Sequence, residues 1–190
     1  MTDLPAPRAV PTVDPDRDDV RAAQADRAAF GALYRRYLDR VYGYAFYLLG
    51  DHHDAEDATE RTFLAALGAI ERFRDEGATF RSWLFTIAHN QIANALRSRA
   101  RRRTAPLDGV PEPVADVDPG REAGAAEDAR RVRSALAELS EDRRQVVVLR
   151  FVDGLSAREI GAVLGRSEGA VRVLQHRALR ELSGILGVED

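Results

Sequence analysis

The chain has no cysteine and no lysine, and its 190 residues include only one tryptophan, one methionine and four histidines. Without cysteine there are no disulfides and no thiolate metal sites, which fits a reducing compartment. Apolar runs long enough to cross a bilayer are missing, as is a basic-then-apolar leader at the N-terminus, so the expected location is cytoplasmic, without membrane insertion. The scarcity of histidine bears on catalysis. His53 and Asp54 could open a metal-dependent hydrolase site, but His52, His89 and His176 are the only further imidazoles, and His176 falls in a different expected domain. No cofactor, metal or catalytic residue is expected, and the chain is not expected to be an enzyme.

Proline is also absent from two long stretches, since all eight prolines lie within residues 5–15 and 106–119. The first of these regions, residues 1–25, is rich in aspartate and has no periodicity that buries a face, so it is expected to be a disordered N-terminal tail. The second, residues 104–126, has the composition of an extended, self-repelling linker. Between and after them lie two helical regions, 26–103 and 127–187. The expected fold is therefore all-α, with two small helical domains joined by a flexible acidic linker.

The net charge of −3 hides a strong segregation. Residues 78–103 contain six arginines and no acid, whereas residues 104–128 contain seven acids and one arginine. The cationic block coincides with the sequence FRSWLFTIAHNQIANALRSRARRR, in which Phe80, Trp83, Leu84, Ile87, Ala88, Ile92, Ala95 and Leu96 recur at steps of three and four. On a helix these residues form one apolar stripe, leaving His89, Asn90, Asn94 and Arg97 off it and the arginines at the C-terminal end. Such a helix can meet phosphates, although a basic C-terminal end also suits the helix dipole with no ligand at all.

Two further helices are expected before it. Phe30 to Leu49 carries all five tyrosines and should stop at Gly50. Asp51 or Asp54 can cap the next helix, whose first turns are acidic, and a short loop from Phe73 to Thr79 leads into the cationic helix. In the second region, Ser140 caps a helix stopping at Gly154. Ser156 to Glu159 forms a capping box, Gly165-Arg166 makes a tight turn, and Ser167 caps the last helix. This is helix-turn-helix spacing with cations on the second helix, which suits a DNA major groove.

Taken together, the chain resembles the extracytoplasmic-function (group IV) sigma factors of bacterial RNA polymerase over nearly all of residues 27–187. The resemblance rests on Asp54-Ala55-Glu56-Asp57 with Phe63-Leu64, on Phe80, Trp83-Leu84, Ile87-Ala88 and Asn90, and on Leu155-Ser156, Glu159-Ile160, Leu164-Gly165 and Gly169 to Arg172. It implies a sigma-2-like domain binding polymerase and the minus-ten element, and a sigma-4-like domain binding the minus-thirty-five element. Asp54, Glu56, Asp57, Glu60 and Phe63 would then dock on the clamp helices of the largest polymerase subunit. Arg74, Asp75, Glu76, Thr79, Trp83, His89, Asn90, Arg97 and Arg101 would contact the unstacked minus-ten strand. Ser167, Glu168, Gly169, Arg172, His176 and Arg177 would read the duplex minus-thirty-five element. The partners implied are core RNA polymerase, promoter DNA and an anti-sigma factor protein.

The chain departs from the family pattern at Glu60-Arg61, commonly Gln-Glu, at Asn94, often Asp, and at Leu174-Gln175, commonly Arg-Leu. A helix-turn-helix regulator acting without polymerase is the alternative reading, and the His53-Asp54 hydrolase a distant one.

Overall fold

The computed structural model describes residues 14–75, 79–104 and 123–187, and among them every regular element is helical. In chain order these are α1 (Arg17–Ala25), α2 (Phe30–Leu49), α3 (His52–Ala69), α4 (Phe80–Thr104), α5 (Ala123–Glu138), α6 (Glu141–Val147), α7 (Ala157–Leu164) and α8 (Glu168–Leu186). A 3₁₀ turn, Ile70–Arg72, closes α3, and α6 runs on into a π turn, Val148–Val152. None of the described helices is long and apolar enough to cross a membrane.

Helices α2, α3 and α4 form the first group because each has a stripe at helical spacing. Leu33, Tyr37, Val41, Tyr44 and Leu48 of α2 are buried against Ala55, Phe63 and Ala66 of α3 and Phe80, Leu84, Ala88 and Ile92 of α4. Phe85, outside the expected stripe, is fully buried too, with its ring 5.7 Å from that of Tyr44. Gly50 ends α2 at a φ of 70°, where a side chain would be strained, and Asp51 is the cap of α3, accepting from the Asp54 N–H at 2.8 Å.

The expected tail 1–25 requires correction from residue 14 onward. Residues 17–25 are the helix α1, which buries Val20 and Ala23. The acids that made this stretch look solvated are partly used as acceptors inside the fold. Asp16 takes hydrogen bonds from the Arg36 guanidinium and the Tyr37 hydroxyl, and Asp14 from the Phe80 N–H. Composition counts such acids as solvated because it cannot see donors that arrive from distant residues. Residues 1–13 lie outside the described part.

Helices α5 to α8 form the second group around Leu136, Val146, Leu149, Ile160 and Val171. The capping box is present, with the Glu159 N–H donating to Ser156 Oγ at 3.2 Å and the Ser156 N–H to Glu159 Oε2 at 2.9 Å. The turn between α7 and α8 is tight. A β-carbon on Gly161 would lie 2.6 Å from the Arg166 carbonyl oxygen, so the close approach of turn to helix requires glycine there. Most of the expected linker, residues 105–122, lies outside the described part.

The two groups share a seam. Helix α4 lies against α7, and α2 against the π turn, so the buried residues of both groups form one continuous cluster.

Candidate nucleic-acid interface

The acids of α3 border a groove of about 840 Å3 between α2 and α3, walled by Phe30, Tyr34, Phe63, Leu64 and Leu67 with His53, Glu56, Asp57 and Glu60 among the residues that line it. Glu56 and Glu60 are exposed, Asp54 and Asp57 half-buried. Arg61, where the family pattern has an acid, pairs with Asp57 at 3.3 Å and partly neutralises this face. Phe63 is buried, its ring 4.8 Å from Tyr34 and 6.5 Å from Phe30, so it supports the groove rather than projecting from it. The large side chains of the groove that a partner can reach include Leu64, 60% exposed, and Tyr34, 40% exposed. Leu64 stands in the sequence as the second residue of the Phe63-Leu64 pair that the resemblance rests on. An acidic rim around an apolar floor suits a basic, amphipathic helix.

His52 is packed among aromatic side chains of α2, whereas His53 is exposed. The ring of His52 lies 4.3 Å from Phe46, and its Nδ1 is 2.5 Å from the Tyr42 hydroxyl. Among the described residues no three His, Asp or Glu side chains are grouped to hold a cation.

At the start of α4, Arg74 folds back so that Nη1 donates to the Glu71 and Phe73 carbonyls, each at 2.8 Å, while Asp75 is exposed. Glu76 lies outside the described residues. Trp83 is half-buried, with ring centroids 5.0 Å from Phe73 and 5.6 Å from Phe80. Asn90 is exposed two turns further on. Arg97, which donates to Asn94 Oδ1 at 2.5 Å, and Arg101 are exposed near the C-terminal end. Thr79 and Arg101 are separated by about 33 Å along the axis at 1.5 Å per residue, so these residues form a track rather than one pocket.

His89 does not belong to that track. Its Nδ1 lies 3.1 Å from the Tyr44 hydroxyl, and burial lowers its pKa, with Glu141 opposing. The ring is turned toward α2 rather than along the exposed side of α4.

Thr79 and Arg81 meet the second group at Glu159. Thr79 Oγ1 donates to Glu159 Oε1 at 2.9 Å, and Arg81 Nη2 bridges both carboxylate oxygens at 2.8 and 2.7 Å. Burial alone would raise the Glu159 pKa. The Arg81 fork, the Ser156 N–H and hydroxyl and the Thr79 hydroxyl outweigh it and hold the carboxyl at about 2. Next to this contact, Arg40 of α2 donates to the Asp153 carbonyl oxygen. The Asp153 carboxylate is fully buried with neither oxygen hydrogen-bonded among the described residues. Burial pushes its pKa up to about 8 against the opposing pull of Arg40 and Arg81.

Helix α8 turns Val171 and Ala178 inward and leaves Gly169, Arg172, Val173, His176, Arg177 and Arg180 exposed. Ser167 is used as the cap, accepting from the Ala170 N–H at 3.2 Å, and Glu168 pairs with Arg172 at 2.5 Å. Arg172 and Arg177, five residues apart, stand about 140° apart on opposite flanks of the outward face. A groove of about 560 Å3 lies along the Arg172 and His176 flank and is also lined by Arg150 and Arg158, two cations that the sequence reading missed. Arg158 lies inside the capping-box tetrapeptide, whose spacing marks Ser156 and Glu159 and is silent on the residues between them.

The family profile of sigma-70 region 2 matches residues 33–102, and that of sigma-70 region 4 matches residues 129–182. The ECF RNA polymerase sigma factor BldN of Streptomyces coelicolor is 39% identical over 170 residues, covering 88% of this chain. The chain spans 64% of the length of BldN. Among solved structures, CnrH in complex with the cytosolic domain of CnrY is 31% identical with a TM-score of 0.70, covering 92% of this chain and 99% of that one. The sigma factor RpoE of Bartonella quintana, in complex with the anti-sigma factor NepR, is 25% identical with a TM-score of 0.69, covering 85% and 98%. With both sigma-70 regions matched in order on helices that the structure arranges accordingly, the chain belongs to the extracytoplasmic-function RNA polymerase sigma factors.

Proposed function

We propose that this protein binds core RNA polymerase in the cytoplasm, directs it to specific promoters and promotes the opening of the minus-ten region, without being an enzyme itself. The observation that supports this best is the pairing of two different nucleic-acid surfaces on one chain. One is a capped helix-turn-helix with Arg172, His176 and Arg177 outward, and the other is the long α4 with an aromatic start and an arginine end. A duplex reader needs only the first. A protein that also holds an unpaired strand needs a stacking surface and a phosphate track, which Trp83, Asn90, Arg97 and Arg101 supply.

In this reading residues 26–103 act on polymerase and the minus-ten strand, and residues 127–187 on the minus-thirty-five duplex. The groove between α2 and α3, lined by Glu56, Asp57, Glu60 and Leu64, receives the clamp helices of the largest polymerase subunit, with Asp54 beside it on α3. An anti-sigma protein is a further partner, by analogy with the RpoE and NepR pair. The test is transcription of genomic DNA by core polymerase with and without the protein, followed by sequencing of transcript starts. A set of new starts sharing two upstream elements is expected. No new start, together with no retention on immobilised core polymerase, overturns the reading.

A further inference from the structure

The minus-ten loop is gripped at both ends by one N-terminal strap. At its entry, Gln24 of α1 donates from Nε2 to the carbonyl oxygens of Ile70 at 3.0 Å and Phe73 at 2.9 Å. At its exit, Asp14 accepts the Phe80 N–H on Oδ2 at 2.5 Å, and on its other oxygen the Asp16 N–H at 3.0 Å. Phe80 is the first residue of α4, and its N–H is one of those that a helix cannot satisfy internally. A buried carboxylate there is favoured both by the hydrogen bond and by the helix dipole. Asp14 is 5% exposed, and Asp16, 1% exposed, is anchored in turn by Arg36 and Tyr37 of α2. The strap is therefore fixed to the bundle independently of the loop it holds.

The consequence is geometric. The rings of Phe73 and Phe80, one at each end of the loop, lie 5.9 Å apart, and Trp83 packs on both. The spacing of these three rings depends on where Phe73 and the start of α4 are held. We propose that Asp14 and Gln24 are positioning residues for minus-ten recognition. Through them the N-terminal segment holds Phe73 and the start of α4, and so the three rings beside the unpaired strand, without touching the strand. This rests on the sigma-factor reading above.

The experiment compares Asp14→Ala, Gln24→Ala, their combination and Asp14→Asn in holoenzyme reconstituted with core polymerase. Three activities are measured: retention on polymerase, affinity for a minus-thirty-five duplex, and permanganate reactivity of minus-ten thymines. Amide exchange at Phe80 is followed separately in the free protein. The combined variant is expected to keep the first two activities, to lose about tenfold in promoter opening, and to exchange the Phe80 amide faster. Asp14→Asn retains one acceptor of the two and should fall between parent and alanine. Parental opening by the combined variant overturns the proposal, as does an equal loss of all three activities, which would mark α1 as a general stabiliser. A parent that fails to bind polymerase would refute the sigma reading, whereas unchanged Phe80 exchange in Asp14→Ala refutes the strap itself.

Discussion

Removing the Glu159 carboxylate should break two structures at once, and the parts can be separated. Within α7 the carboxylate closes the capping box with Ser156, while across the seam it takes Thr79 and Arg81. Holding the group at about 2 rather than 4.5 corresponds to about 3 kcal/mol favouring the ionised form, at about 1.4 kcal/mol per unit. Cap interactions of this kind contribute about 0.5 to 2 kcal/mol. That leaves about 1 to 2 kcal/mol for the bonds across the seam. The Glu159 and Arg81 side chains are 13% and 28% exposed, so solvent screening weakens this pair less than it would an exposed one.

The assay is urea unfolding of Glu159→Ala, Arg81→Ala and the double variant, with Ser156→Ala as the cap-only control. A coupling of about 1 to 2 kcal/mol between positions 81 and 159 is expected at pH 7. The pH dependence has a fixed sign. Because the carboxyl is held below its unfolded value, its contribution is fully present above about pH 4.5 and is lost as pH falls through about 2. Arg81→Ala should shrink that acid limb. Additive single variants, or an acid limb unchanged by Arg81→Ala, would refute the assignment of this carboxylate to the seam.

Asp153 gives the opposite slope. Its raised pKa means that its favourable contribution is complete below about 3.8 and is lost as pH rises through about 8, so Asp153→Asn should raise the melting temperature at pH 8 and flatten the decline between those limits. Gly161→Ala pushes a β-carbon to 2.6 Å from a backbone oxygen, so it should cost about 1 to 3 kcal/mol in urea unfolding and loosen the turn between α7 and α8. Arg172→Ala should weaken minus-thirty-five duplex binding by about 1 to 3 kcal/mol if the side chain reads a base, and weaken promoter and scrambled duplex alike if it holds phosphate. Equal binding of parent and variant on both duplexes would remove Arg172 from the interface.

What could be read from the sequence, and what could not, follows the range of the interactions. The stripe of α4, the stop at Gly50, the capping box of α7 and the cap at Ser167 depend on neighbours within a few residues, so spacing was enough to find them. Helix α1 was missed because its stability comes from Arg36, Tyr37, Ile70, Phe73 and Phe80, all distant in sequence. His89 lies off the apolar stripe yet finds Tyr44, 45 residues earlier, as its partner, a contact that spacing cannot show. Glu159 shows the limit most clearly. Its capping role could be read from Ser156 three residues earlier, but its bond to Arg81, 78 residues away, could not.

The seam and the proposed function compete for the same groups. The names of the two promoter elements place them about 25 base pairs apart, or about 85 Å of duplex at 3.4 Å per pair. In the docked arrangement Thr79 touches Glu159 at 2.9 Å, and α8 follows α7 after the turn at 165–167. At 1.5 Å per residue α7 and α8 measure about 12 and 29 Å, so the start of α4 and the proposed recognition helix lie closer together than the two elements do. The 18 residues between α4 and α5, 105–122, have a maximal reach of roughly 60 to 65 Å, which bridges the elements once the breadth of the two groups is added. Under the proposed function, engaging both elements requires the seam to part, which frees the Thr79 hydroxyl and the Arg81 guanidinium at the start of α4. The bonds of Glu159 to these two groups then set a cost of about 1 to 2 kcal/mol that contacts with polymerase and DNA must exceed. Stacking one base on an aromatic ring contributes about 1 to 3 kcal/mol, the same range, so a single extruded base on Trp83 can offset this part of the seam.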